Sequence, residues 1–284
     1  MNLIALPDGT AVPALGLGTW RMGESRASRA AEIAAVRTAI ELGYRLIDTA
    51  EMYGEGGAEE VVGRAIADAV RAGDVRRDEL FVVSKVYPPH ATATGTALAC
   101  DRSRRRLGLD SIDLYLLHWR GSVPLAETVD AMNARVAAGA IGRWGVSNFD
   151  VDDMAELLGV DGGAACATDQ VWHSAAERGA EFALLPWLRR RAMPLMAYSP
   201  IDQGSLAGDA VLAGIGERSG LSAAQVALAW VLAQPGVVAI PKAVRVEHLR
   251  ANLAAAEVSL DASARRAIDA RFAPPRRKMP LAIN

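Results

Sequence analysis

The chain has 284 residues, 51% of them hydrophobic and 23% charged, so it can bury a substantial core and does not read as a disordered or fibrous sequence. Its 31 basic and 33 acidic residues leave a formal charge of -2, too small to create a field that gathers a polyanion, so no nucleic-acid partner is expected. Cys100 and Cys166 stand far apart with no second Cys or His at ligand spacing, which argues against a disulfide framework and against a metal site.

The opening MNLIALPDGTAVPAL carries no basic segment and meets Pro7 and Asp8 early, so it does not read as a leader. Asp8-Gly9 predicts a tight hairpin between two short strands. Beyond it, short apolar runs at 15–18, 45–48, 80–84, 112–117, 143–146, 168–171, 194–197 and 237–240 predict eight strands. Segments of helical periodicity lie between them, among them 30–42, 58–72, 94–107, 125–138 and 223–233. Helices at 246–257 and 261–272 close the pattern, and the prolines and charges of APPRRKMPLAIN then predict a surface tail. The stretch 223–241 is the most apolar, but Gln225, Gln234, Pro235 and Gly236 interrupt it, so no membrane span is expected. The basic runs at 104–106 and 276–278 read as solvated surface.

Strands that alternate with helices call for a parallel sheet, because each crossover needs a helix to carry the chain back. Eight such units without a linker predict an α/β protein, a (β/α)8 TIM barrel with an N-terminal β-hairpin, formed by residues 1–284 as one domain. The expectation is a cytoplasmic monomer.

A barrel of this kind places its site at the C-terminal ends of the strands. The polar residues there are Asp48 with Tyr53 just beyond, Lys85, His118, Ser147 with Asn148, Asp169 with Gln170, Tyr198 with Ser199, and Lys242. An acid, a Tyr, a Lys and a His converging on one mouth suit proton transfer to or from an oxygen. A free Tyr, with a pKa of about 10, is a weak acid at neutral pH, and the expectation is that the Lys85 ammonium lowers it while Asp48 acts as counter-ion to Lys85. His118 is placed to orient a carbonyl. None of these groups supplies a hydride, so a redox reaction needs a cofactor. No G-x-G-x-x-G joins a strand to a helix near the N-terminus, which excludes a Rossmann site. The amides and hydroxyl of Ser147, Asn148 and Gln170 suit a carboxamide, the Tyr198 ring suits a flat heterocycle, and Lys242 beside a helix N-terminus suits a phosphate.

These residues sit in GLGTW (16–20), DTAEMYG (48–54), SKV (84–86), DLYLLHW (113–119), GRWGVSNF (142–149), DQVWHS (169–174), AYSP (197–200) and AIPKA (239–243), an order that resembles the aldo-keto reductase family over nearly the whole chain. The closing KMPL is similar to that of the short-loop bacterial members. The resemblance implies NAD(P)H-dependent reduction of aldehydes and ketones to alcohols, with hydride from the nicotinamide and the proton from Tyr53. Asp48 and Lys85 would tune Tyr53, and His118 would orient the substrate. It also implies a cofactor site built from Thr19, Trp20, Asp48, Ser147, Asn148, Gln170, Tyr198, Ser199, Lys242, His248 and Asn252, with Lys242 at the 2′-phosphate of NADPH. The chain departs from the family where Ser and Arg often follow the Lys: Ala243 and His248 stand there, which weakens the preference over NADH. Arg245 or Arg250 is the candidate replacement. Asp169 stands where many members have Asn.

Trp20, Trp119 and Trp172, with Tyr53 and His118, are expected to line an apolar substrate pocket suited to small or aromatic carbonyl compounds. Arg120 reads as an exposed side chain. Two rivals keep the fold. One is a nucleotide-sensing regulatory subunit without significant turnover. The other is an isomerase or lyase using Lys85 as a Schiff base, which leaves Ser147, Asn148, Gln170 and Tyr198 without a role.

Overall fold

The computed structural model describes residues 2–283. Strands β1 (Leu3–Ala5) and β2 (Ala11–Pro13) form the antiparallel hairpin. Its connection is wider than a two-residue turn. The Leu6 N–H donates to Thr10 O at 2.8 Å, the Gly9 N–H donates to Leu6 O at 2.9 Å, and Gly9 takes φ +84°. Pro7 presets the second position of a type I turn, and the left-handed glycine completes a bulge.

The eight-stranded sheet follows in chain order: β3 (Leu17–Gly18), β4 (Leu46–Asp48), β5 (Phe81–Val86), β6 (Leu114–Leu117), β7 (Trp144–Ser147), β8 (Cys166–Trp172), β9 (Leu195–Tyr198) and β10 (Val237–Ala239). Each strand pairs in parallel with the next. The two edges meet, since the Gly16 N–H donates to Ala239 O at 2.9 Å and the Gly18 N–H to Pro241 O at 3.1 Å, so the sheet closes into a barrel. Gly18 is required at this seam, because a Cβ there would lie 2.6 Å from Ile240 O.

The crossover helices are α1 (Arg29–Glu41), α2 (Gly57–Ala72), α3 (Ala93–Leu107), α4 (Leu125–Ala137), α5 (Val151–Gly159), α6 (Leu184–Arg189), α7 (Ala210–Glu217) and α8 (Ala223–Leu232), followed by α9 (Val246–Ala255) and α10 (Ala262–Arg271). The periodicity did not single out α5, α6 and α7. They are short, α6 carries Pro186, and α7 carries two glycines, so none presents a long amphipathic stripe. Among the described residues no helix is long and apolar enough to cross a membrane.

Two apolar clusters divide the core. Leu46, Val83, Leu114, Leu116, Met196, Val238 and Ile240 fill the barrel lumen, closed from below by Leu6 and Val12 of the hairpin, while Ile47, Val82, Tyr115, Val171 and Ala197 face the helices. Successive side chains of a strand alternate between these faces. The residue two beyond a lumen residue therefore also faces the lumen, one layer higher. That parity carries Leu46 to Asp48, Val83 to Lys85, Leu116 to His118, Met196 to Tyr198 and Ile240 to Lys242.

Candidate active site

The top lumen layer brings together groups that are far apart in sequence. Lys85 is fully buried, and its ammonium donates to Asp48 Oδ1 at 2.6 Å, to Thr49 O at 2.9 Å and to the Tyr53 hydroxyl at 3.2 Å. The second Asp48 oxygen accepts Gln170 Nε2 at 2.8 Å, and Thr19 Oγ1 donates to Asp48 O at 2.9 Å. Each buried polar atom of Asp48 is thus matched, as the desolvation cost demands. The His118 ring stands edge-on to Tyr53 with centroids 5.6 Å apart.

Burial pulls the Lys85 pKa down, but Asp48 and Tyr53 outweigh it and the net shift is upward. Burial also pushes Asp48 up, and Lys85 with Gln170 pulls it part of the way back. The Lys85 direction governs, because the 2.6 Å contact rewards the charged state of both partners, so the pair is ionised at neutral pH. Tyr53 differs from expectation. Burial raises its pKa above the ordinary value, Lys85 opposes this, and Asp48 adds to it, so the net shift is upward rather than downward. Desolvation of the phenolate exceeds the attraction of the ammonium, and the phenol keeps its proton at neutral pH. Burial, helped by the Lys85 charge, holds His118 well below its ordinary value, so its ring is neutral. Its Nδ1 is buried with no partner among the described residues.

Beside this cluster lies a set of amides. Ser147 Oγ donates to Gln170 O at 2.7 Å, Asn148 Nδ2 donates to Ser147 Oγ and to His118 O at 3.2 Å each, and the Tyr198 hydroxyl donates to Asn148 Oδ1 at 2.9 Å. Asn148 adopts φ +60° and Ser199 φ +48°, left-handed turns that bend the chain away from the ends of β7 and β9. A cleft of about 790 Å³ runs over both groups.

The lining of that cleft includes Thr19, Trp20, Asp48, Tyr53, His118, Trp119, Ser147, Asn148, Gln170, Tyr198, Ser199, Lys242, His248 and Asn252. Lys85 lies behind Tyr53 and Asp48 rather than on the wall. Trp172 does not line the cleft. It pairs in register with Tyr198, which does line the cavity, and its indole N–H is buried with no partner among the described residues. Of the two arginines offered as replacements near the Lys, Arg245 lines the cleft, in contact with the His248 ring, and Arg250 does not. Asp169 is wholly buried behind the wall, accepting the Phe149 N–H at 3.5 Å, so it touches the amide set only through the backbone. Arg120 pairs with Glu156 at 2.9 Å.

Sequence reasoning missed part of the wall. Arg21, Met52 and Ile283 line the cleft, as do Ile201, Gln203 and Gly204 from the segment after β9. All of these except Ile283 had a readable signal, since they follow the C-terminal ends of β3, β4 and β9. The N-terminal ends of α8 and α9 also reach the cleft through Ser222, Gln225, Arg245 and His248. With Lys242 they give one end of the cavity a donor-rich, basic character.

A proton-transfer cluster at the C-terminal mouth of a β/α barrel, beside a long cleft with amides at one end and cations at the other, defines a cofactor-dependent barrel enzyme. The model of the Aldo/keto reductase family matches residues 14–271, and the chain belongs to that family of oxidoreductases. It is similar to the methylglyoxal reductase YeaE of Escherichia coli, 46% identical over 285 residues, covering 99% of this chain and 98% of that protein. The glyoxal reductase of Bacillus subtilis is 36% identical over 252 residues, covering 88% and 86%. Among solved structures, an aldo-keto reductase from Klebsiella pneumoniae in complex with NADPH is 45% identical and superposes with a TM-score of 0.94, covering 100% of this chain and 99% of that one.

Proposed function

We propose that the chain reduces small aldehydes and ketones with NADPH, that 2-oxoaldehydes such as methylglyoxal are its preferred substrates, and that Tyr53 is the proton donor. The observation that carries this reading is the Tyr53 hydroxyl on the cleft wall, 3.2 Å from the buried Lys85 ammonium, which lies 2.6 Å from Asp48.

The donor set of the cleft fits the cofactor. A cavity of about 790 Å³ falls in the range that encloses such ligands. Ser147, Asn148 and Gln170 would hold the carboxamide, Tyr198 would lie against the ring, and Lys242 with Arg245 and His248 would meet the 2′-phosphate, in place of the Ser and Arg found elsewhere in the family. When bound, the reduced nicotinamide supplies the hydride for the carbonyl carbon. The neutral His118 ring has one N–H to give and fixes the carbonyl oxygen near Tyr53. Tyr53 O–H then donates its proton to that oxygen, and the Lys85 ammonium stabilises the phenolate left behind. Asp48 keeps Lys85 charged throughout. The substrate end carries Trp20, Met52 and Trp119, with the Arg21 guanidinium 4.9 Å from the Trp20 ring centroid and Arg120 paired elsewhere, a mostly apolar wall that suits a small carbonyl compound.

The test is NADPH consumption by the purified protein with methylglyoxal and a panel of simpler aldehydes and ketones, alongside Tyr53→Phe. That variant is expected to lose at least about 100-fold in kcat while binding NADPH as before. Tight NADPH binding without turnover on any carbonyl compound would instead favour the nucleotide-sensing reading.

A further inference from the structure

Glu51 is an acid that the proposed mechanism does not use. It is only 7% exposed and does not line the cleft, yet both carboxylate oxygens are engaged by three separate groups. Oε1 accepts the Tyr87 N–H at 2.8 Å and lies 2.9 Å from His90 Nδ1, and Oε2 accepts Arg102 Nη2 at 3.2 Å. Tyr87 and His90 follow β5, the strand that carries Lys85, and Arg102 lies on α3. A buried carboxylate is tolerated only when its charge and lone pairs are met in this way, and the contacts then fix its place.

The segment from Thr49 to Met52 is bound to the same strand along its length. The Thr49 N–H donates to Val83 O at 2.9 Å, Thr49 O accepts Lys85 Nζ at 2.9 Å, and the Glu51 N–H donates to Lys85 O at 3.4 Å. The Tyr53 N–H closes the turn by donating to Ala50 O at 3.1 Å. Glu51 is therefore the side-chain anchor of a backbone segment whose next turn presents the Tyr53 hydroxyl. The Tyr87 ring continues this support, standing edge-on to Trp119 at 5.3 Å, and Trp119 contacts His118 at 5.1 Å.

We infer that Glu51 is a positioning residue whose carboxylate clamps the Tyr53 turn to the end of β5 and so sets the separation of the Tyr53 hydroxyl from the Lys85 ammonium. The inference rests on the proposed roles of Tyr53 and Lys85. Without the clamp the hydroxyl moves from the ammonium, the phenolate loses stabilisation, and proton donation slows, although the cofactor wall formed by β7, β8 and β9 is untouched.

The test compares Glu51→Gln, Glu51→Ala and Arg102→Lys with the parent and with Tyr53→Phe, reading kcat, KM, the alkaline limb of the kcat profile, and NADPH affinity by tryptophan fluorescence. Glu51→Gln and Glu51→Ala are expected to lower kcat about 10- to 100-fold, with NADPH affinity within about twofold of the parent. Their alkaline limb moves to higher pH, because a phenolate further from the ammonium forms less readily. Arg102→Lys, which keeps a cation for Oε2, should fall between the parent and the Glu51 variants. Should Glu51→Ala not fold, Glu51→Gln and Arg102→Lys keep the volume and carry the test. A folded Glu51→Gln with the parent's kcat and an unmoved limb overturns the inference, as does a loss of NADPH affinity parallel to the loss of kcat, which would mark a merely structural role. If Tyr53→Phe keeps full turnover, the proposed mechanism itself fails. If Tyr53→Phe is inactive while Glu51→Gln is fully active, only the clamp fails.

Discussion

Asp48→Asn removes the only charged partner, among the described residues, of the wholly buried Lys85 ammonium. In the parent, Lys85 Nζ has Asp48 Oδ1 at 2.6 Å, with two neutral acceptors, Thr49 O and the Tyr53 hydroxyl, at 2.9 and 3.2 Å. In the variant only dipoles remain to offset the desolvated charge. Removing one partner of a buried pair costs about 3–5 kcal/mol. At about 2–4 °C per kcal/mol this lowers Tm by about 6–20 °C. The double variant Asp48→Asn/Lys85→Met leaves no uncompensated charge and is expected to recover most of that loss, although it is inactive. The pH dependence separates the cases further. In the parent the Lys85 pKa is raised by its partners, so its contribution is fully present below the unfolded value of about 10.4 and is lost as pH rises through the higher folded value. In Asp48→Asn burial is opposed only by the Thr49 carbonyl and Tyr53 and depresses the folded value, so stability rises with pH toward about 10.4. Urea denaturation from pH 7 to about 10, read by fluorescence, separates the constant Lys85 contribution of the parent from the rising profile of the variant. A single variant within about 1 kcal/mol of the parent and with the parent's pH slope would refute the ionised-pair argument.

Two further outcomes are expected. Lys242→Ala and Arg245→Ala should each weaken NADPH binding by about 10- to 100-fold while leaving NADH unchanged, measured by calorimetry; equal losses for both cofactors would remove these side chains from the 2′-phosphate. His173 is wholly buried, and burial together with Arg178 lowers its pKa to about 4, against a smaller upward pull from the Glu177 backbone. The unfolded chain takes up that proton near pH 6.5 and the folded one only near 4, so stability is full above about 6.5 and falls by about 3 kcal/mol as pH drops through that window. His173→Gln should reduce the rise of the urea midpoint between pH 4 and 7; His118, whose pKa is lowered in the same sense, keeps part of that slope, and the raised Asp169 and Glu59 carboxyls oppose it in parent and variant alike. An unchanged slope in the variant would place the acid lability elsewhere.

The alternation of apolar runs with helical periodicity already determined the eight parallel strands and the barrel, because strand and helix periods are local properties of the chain. It also placed Asp48, Lys85, His118, Ser147, Gln170 and Tyr198 at one mouth, since direction along a parallel strand fixes which end each residue occupies. Strand limits were less legible. Lys85, read as lying beyond its strand, falls inside β5, and β8 runs from Cys166 to Trp172, past both limits of the apolar run at 168–171, because strands buried on both faces show no alternation to mark where they stop. Tertiary structure alone decided the rest. Gln170 reaches Asp48 across 122 residues of sequence, Trp172 stays off the cleft while Ile283 joins it, and Arg120 is taken up by Glu156. The sign of the Tyr53 shift was likewise beyond the sequence, which shows a cation nearby but not the packing that dries the phenol. Periodicity and backbone preference act over a few residues and are written along the chain, whereas desolvation, cleft shape and the partners of Glu51 depend on which surfaces fold over one another.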